Sequence, residues 1–186
     1  MLFQYAEQYE YLYRQPKKNI LTVAVGCVAG QQVSFNVGRS IRRQLFELCG
    51  HPIEQDKLLN SDLSVVKNLT NSRITLLKEM AKIDHERSDR EILADYQQLA
   101  GFGKWTTNAV SILLDLSDNV NLSSDAYIRK NLNLYTDSKM NEKQCYQYLE
   151  QFPNQQTKIC YFLWRIKPQS IYKIKQGLEL TKDDFV

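Results

Sequence analysis

"LAGFGKWTTNAV", residues 99–110, sets Gly101 and Gly103 on either side of Phe102 and follows them with Lys104 and Trp105. Just upstream, "SDREILADYQQLA" (88–100) has helical periodicity, and Ser88 with Glu91 three residues on is the pattern of a capping box. Downstream, "KWTTNAVSILLDL" (104–116) resumes that period. Two helices joined this tightly form an αα-hairpin, in which Gly101 ends the first helix in the left-handed region and Phe102 tucks inward. Amides around 101–105 then point outward at a helix N-terminus, with Lys104 adding a full charge at the rim. That is a site for an anion such as a phosphodiester. On geometry alone, a plain helix connection accounts for the turn equally well.

The rest of the chain also reads as helix. "NILTVAVGCVAGQQ" (19–32) is rich in β-branched residues, but its length favours a buried helix over a strand. "SFNVGRSIRRQLFELCG" (34–50) places Val37, Ile41, Leu45 and Leu48 on one stripe and stops at Gly50. A first helix is expected from Phe3 to Arg14, and shorter ones in "SDLSVVKNL" (61–69), opened by Ser61, and "NSRITLLKEMAKI" (71–83), opened by Asn71 or Ser72. A polar loop, "SDNVNLSS" (117–124), leads into a helix from Asp125 to about Leu134, and "NEKQCYQYLEQF" (141–152) and "QTKICYFLWRI" (156–166) complete an all-α protein.

Composition narrows the chemistry. With 43% hydrophobic and 24% charged residues over 186 positions, this is an ordinary globular chain. No apolar run has membrane-spanning length and the acidic N-terminus is no signal peptide, so a cytoplasmic protein is expected. Cys27, Cys49, Cys145 and Cys160 are far apart, which argues for buried free thiols and against zinc, an iron–sulfur cluster or a disulfide framework. His51 and His85 are the only histidines, too few for metal or triad chemistry. Net charge is +3, too mild to announce nucleic acid, so any polyanion surface is local. "GRSIRRQ" (38–44) is a second candidate patch beside the turn, with a solvated helix face as its plain reading.

Three blocks in order carry a resemblance to a known family. "LAGFGKWTTNAV" resembles the helix-hairpin-helix of DNA repair glycosylases, with Ala100 where proline is usual. "AVGCVAGQQVSFNVGRSI" (24–41) is similar to their glycine-glutamine-x-x-serine segment. "NLSSDAYIRKNL" (121–132) is similar to the segment holding their catalytic aspartate, with Ser124 departing from the usual residue, and "CYFLWR" (160–165) is a weaker echo. The chain thus resembles the helix-hairpin-helix DNA glycosylase superfamily, closest to the alkylpurine branch typified by bacterial 3-methyladenine DNA glycosylase II.

The resemblance implies two helical lobes with a DNA-binding cleft between them: a barrel lobe of 20–132, and a second lobe of 1–19 with 133–186. Gly101, Phe102, Gly103, Lys104 and Thr106 would hold the DNA backbone. Gln31 and Gln32 would enter the duplex where a base has flipped out, either one matching a wedge position in some branch. Backbone carbonyls of Gln97, Leu99 and Phe102 would bind a monovalent cation, Na+ or K+; no other cofactor and no iron–sulfur cluster is expected.

Asp125 would be the catalytic carboxylate, stabilising positive charge on the sugar and orienting a water. Its plain reading is a helix cap, and the two roles are compatible. Bifunctional members carry a lysine that attacks the sugar where this chain has Trp105, so water-driven base removal without strand cleavage is implied. Lys104, one position earlier, is turned about 100° away on a helix; a reoriented Lys104 stays open. Trp105 would stack on an electron-deficient flipped base, with Tyr127, Tyr161 and Trp164 as further pocket residues whose alternative is core packing. The expected protein is a monomer that acts on damaged double-stranded DNA. The alternatives are a non-catalytic DNA-binding module and a glycosylase for oxidised or deaminated bases.

Overall fold

The computed structural model describes residues 1–13 and 19–186. In chain order the helices are α1 (Leu2–Gln8), α2 (Glu10–Tyr13), α3 (Ile20–Gly30), α4 (Phe35–Cys49), α5 (Gln55–Asn60) and α6 (Asn71–Met80). There follow α7 (Asp89–Tyr96), α8 (Lys104–Leu114), α9 (Ala126–Thr136), α10 (Glu142–Glu150), α11 (Gln156–Arg165) and α12 (Ile171–Lys175). Among the described residues there is no strand, only an isolated antiparallel bridge between Ile166 and Phe185. The all-α expectation is what the structure shows. No described helix is long and apolar enough to cross a membrane. Two compact units are formed, Lys17–Val110 and Met1–Pro16 with Ser111–Val186, whereas the sequence reading carries the first of them on to 132.

In the unit Lys17–Val110, α3 is helical despite its β-branched residues because it is buried on nearly every side, from Ile20 to Ala29. Burial of this kind outweighs a weak strand preference. Asn19 starts it, its side-chain oxygen accepting from Thr22 N at 2.8 Å. α4 packs against α3 so closely that a Cβ on Gly38 would lie 3.2 Å from the Gly30 Cα. The stripe of α4 is oriented as expected: Ile41 and Leu45 are fully buried and Val37 and Leu48 half-buried. Each of the two fully buried side chains stabilises the fold by roughly 1.5–3 kcal/mol relative to exposure. The capping box of Ser88 and Glu91 is present.

Three expectations are corrected. The helix expected in 61–69 shrinks to a 3-10 turn, Leu63–Val65, because Asp62 rather than Ser61 captures the Ser64 amide, at 3.0 Å. α6 is preceded by Thr70, which makes no side-chain cap bond and instead pairs its hydroxyl with Ser72 at 3.1 Å. The N-terminal helix is broken at Tyr9 into α1 and α2, and its expected last residue, Arg14, lies outside the described residues.

In the unit formed by the termini, α9 and α11 are joined through Asn131. This fully buried side chain donates to the carbonyls of Leu163 at 2.7 Å and Ile166 at 2.9 Å. The C-terminus is fixed by Asp184, which accepts from Ser170 Oγ at 2.7 Å, Lys173 Nζ at 3.0 Å and Thr181 N at 2.8 Å. All four cysteines are free and buried, and burial pushes the Cys27 and Cys160 thiols up to about 12, leaving them unreactive.

Candidate nucleic-acid interface and catalytic carboxylate

The turn between α7 and α8 is built as its residue types require. Gly101 sits at φ +93°, where a side chain would be strained. Phe102 turns inward, 3% exposed, with its ring 5.3 Å from that of buried Tyr96. The first helical bond of α8 runs from Thr107 N to the Gly103 carbonyl at 3.1 Å. The amides ahead of it are those an α-helix cannot satisfy within its own ladder. Gly103 differs from Gly101: it lies outside the left-handed region, and a Cβ there would meet nothing within 4 Å. Its missing side chain answers to no neighbour in the chain. Lys104 is exposed, Trp105 is half-buried as the second residue of α8, and Thr106 is buried.

The loop after α3 meets this turn inside the same unit. Gln31 Nε2 donates to the Gly101 carbonyl at 3.1 Å and to Thr106 Oγ1 at 2.6 Å. The Gln31 carbonyl in turn accepts from the Arg73 guanidinium on α6. Gln32 is placed differently, exposed and in the left-handed region at φ +49°. The structure therefore brings Gln31, Gly101 and Thr106 together and leaves Gln32 facing solvent. Among the carbonyls expected to hold a cation, that of Leu99 accepts the Phe102 N–H at 3.0 Å and retains a second lone pair.

In the other unit, Asp125 caps α9. Its Oδ1 accepts from the amides of Tyr127 at 2.8 Å and Ile128 at 3.1 Å, and the residue is half-buried. The loop that delivers it is fixed from below. Val120 N donates to Thr157 Oγ1 at 2.9 Å, Thr157 N to the Asp118 carbonyl at 3.1 Å, and Leu122 N to Cys160 Sγ at 3.5 Å. Arg129, one turn into α9, reaches back to the carbonyls of Ser123 at 3.0 Å and Ser124 at 2.7 Å. Burial raises the Cys160 thiol, with the Asp125 charge a lesser contribution in the same direction.

Tyr127 is half-buried, its hydroxyl donates to the Ile166 carbonyl at 3.1 Å, and burial raises its pKa. Tyr161 is 3% exposed, a core position, and Trp164 is half-buried on the same helix. Sequence reading did not single out Arg73, Arg129 or Thr157. Each acts through a main-chain contact, and those of Arg73 and Thr157 span about 40 positions, which leaves no local signal. Arg129 alone sits within the block that resembles the aspartate segment.

Neither a protein-family model nor a curated protein sequence matches the chain. Solved structures do. A 3-methyladenine DNA glycosylase from Archaeoglobus fulgidus aligns over 88% of this chain and 67% of its own, with a TM-score of 0.68 and 15% identity. The Schizosaccharomyces pombe 3-methyladenine DNA glycosylase Mag1, solved in complex with abasic DNA, aligns over 95% of this chain and 92% of its own, with a TM-score of 0.61 and 17% identity. At such identities the likeness establishes the fold: this chain is built as those two glycosylases are built.

Proposed function

We propose that the chain is a monofunctional DNA glycosylase that hydrolyses the N-glycosidic bond of alkylated purines, of the 3-methyladenine type, in duplex DNA. The observation that carries this reading is the fold shared with two 3-methyladenine DNA glycosylases, one of them solved with abasic DNA. The turn before α8 supports it, since its amides suit a phosphate and Gly103 lacks a side chain that no neighbour excludes. A Na+ or K+ at the carbonyls of Gln97, Leu99 and Phe102 would add charge beside a phosphate.

An alkylated purine is already cationic, so its departure needs little acid assistance. What the step requires is a negative charge beside the sugar as the bond to the base breaks and positive charge builds there. Asp125 supplies it, held in one orientation by two amide donors, and passes the proton of the attacking water to solvent. Trp105 stacks on the flipped base through its π-face, whereas Tyr161, 3% exposed, belongs to the core and takes no part. Gln32 fills the gap left in the duplex, because the Gln31 amide is engaged with Gly101 and Thr106. With tryptophan at 105, no amine attacks the sugar and the strand stays intact. The second reading, a non-catalytic duplex-binding module, draws on the fact that Asp125 caps α9.

The test is base release from methylated, oxidised and uracil-containing duplexes. We expect methylated purines to be released and the abasic strand to remain whole. Release only from oxidised or uracil-containing duplex would replace the substrate class. Release from none, with duplex binding intact, would leave the binding module. Borohydride trapping of a covalent complex would point to Lys104 instead of water.

A further inference from the structure

The charge of α4 is unevenly placed. Arg39, Arg42 and Arg43 lie in its first nine residues, and the only acid in the helix, Glu47, comes a turn later. Asn36, Arg39, Ser40 and Arg43 recur at spacings of three and four and so share one face, opposite the buried Ile41 and Leu45. On this side runs a shallow groove of about 660 Å³, lined by the three arginines with Asn36, Ser40 and Phe46 and bounded by Glu47.

Arg42 lies deepest. A Cβ on Gly26 would come 3.5 Å from its Cδ, and one on Gly30 3.4 Å from its Nη1, so two glycines of α3 make the seat for its side chain. Burial lowers the Arg42 pKa, with the Arg39 charge a lesser contribution in the same direction. Among the described residues the ion pair recorded for these arginines is Arg43–Glu47, 3.6 Å apart and exposed at both ends. A pair of that kind contributes little. The cluster also adjoins the loop of Gln32: α4 begins at Phe35, 63% exposed, and Arg42 reaches back over Gly30.

We propose that this face of α4 is a second contact for the phosphodiester backbone of duplex DNA, separate from the glycine turn, in which Arg39 and Arg43 grip phosphates and Arg42 backs them nearest the loop. Guanidinium groups pair with phosphate through two parallel hydrogen bonds, and one helical turn sets Arg39 and Arg43 about 6 Å apart along the axis. Such contacts carry no sequence information and fix the strand while a side chain enters the stack. The inference rests on the duplex-DNA reading above.

The experiment is equilibrium binding of the full chain to an undamaged duplex over a series of salt concentrations. It compares wild type with Arg39→Ala/Arg43→Ala, and with Lys139→Ala/Lys143→Ala, which removes the same charge from exposed positions in the other unit. The arginine variant should bind about tenfold more weakly at low salt and show a log–log salt slope shallower by about 1–2. The lysine variant should stay within about twofold of wild type. Wild-type affinity and slope in the arginine variant, or an equal loss in both variants, would overturn the proposal. So would binding to polyglutamate that the arginine variant loses while duplex binding stays intact, which would assign the face to an acidic protein. If Gly103→Ser weakens binding and the arginine variant does not, the glycosylase reading survives this failure. If wild type binds no duplex, both fall.

Discussion

The turn before α8 and the loop before α9 each deliver the chain into a helix N-terminus, and they are built by opposite means. The first is a surface device. Gly103 and Lys104 are exposed, Gly103 contributes by lacking a side chain, and a glutamine from the loop after α3 fastens it. The second is held from the interior by Thr157 and Cys160 and from its exposed side by Arg129, and it presents one carboxylate, that of Asp125. On the proposed function, the contrast separates holding DNA from reacting with it. A surface that must follow a flexible polyanion can rely on backbone and open space, whereas a charge that must meet a transition state needs a buried support.

The largest effect should come from that buried support. Thr157→Val removes the acceptor of Val120 N and the donor to the Ser117 carbonyl, at a cost of about 2–4 kcal/mol in urea unfolding. Base release should fall with it as Asp125 loses its placement. Unchanged stability would mean that the loop is held elsewhere. At the surface, Gln31→Ala should cost about 1–2 kcal/mol by taking the donor from buried Thr106, while Gln32→Ala leaves stability unaltered. A fluorescent base analogue should then report slower flipping in both variants, and equal stability losses would erase the distinction between the two glutamines.

The sequence shows the surface device better than the support. Gly101, Phe102 and the Ser88–Glu91 box are local patterns, and each stands in the structure as its residue types require. The stripe of α4 is equally legible, because burial follows the helical period. The contacts of Thr157 and Cys160 that support the Asp125 loop span 37 to 40 positions through main-chain atoms, and no periodicity records such contacts. The break at Tyr9 has neither glycine nor proline to mark it. α12 has five residues, too few for a pattern, and the Asp184 contacts that fix the chain end join residues up to 14 apart.

That chain end gives a smaller effect, separable by pH. Burial works against ionisation of Asp184, but hydrogen bonds from Ser170, Thr181 and Lys173 outweigh it and hold the carboxyl at about 2, below its ordinary 3.8. A lowered folded-state pKa stabilises above the unfolded value and is lost as pH falls through the folded one. Melting midpoints of wild type and Asp184→Asn should therefore differ above pH 3.8 and converge toward about pH 2. Parallel curves across that window would remove the ionised carboxylate from the account. A small change in stability belongs to Gly103→Ser, which retains a good capping residue and meets open space, so unfolding should shift by less than about 0.5 kcal/mol. Duplex affinity should nonetheless fall severalfold in a binding titration. A drop in stability without a loss of affinity would make the turn a plain connection.

Asp125 tests the contrast most directly, because asparagine caps a helix as well as aspartate does and carries no charge. Single-turnover release of methylated purine by Asp125→Asn, measured beside its thermal unfolding, separates the two roles. The account predicts a fall in rate of about 10²–10³ with an unfolding midpoint close to wild type. Wild-type release rates in a stable Asp125→Asn protein would leave Asp125 as a helix cap and contradict the catalytic assignment.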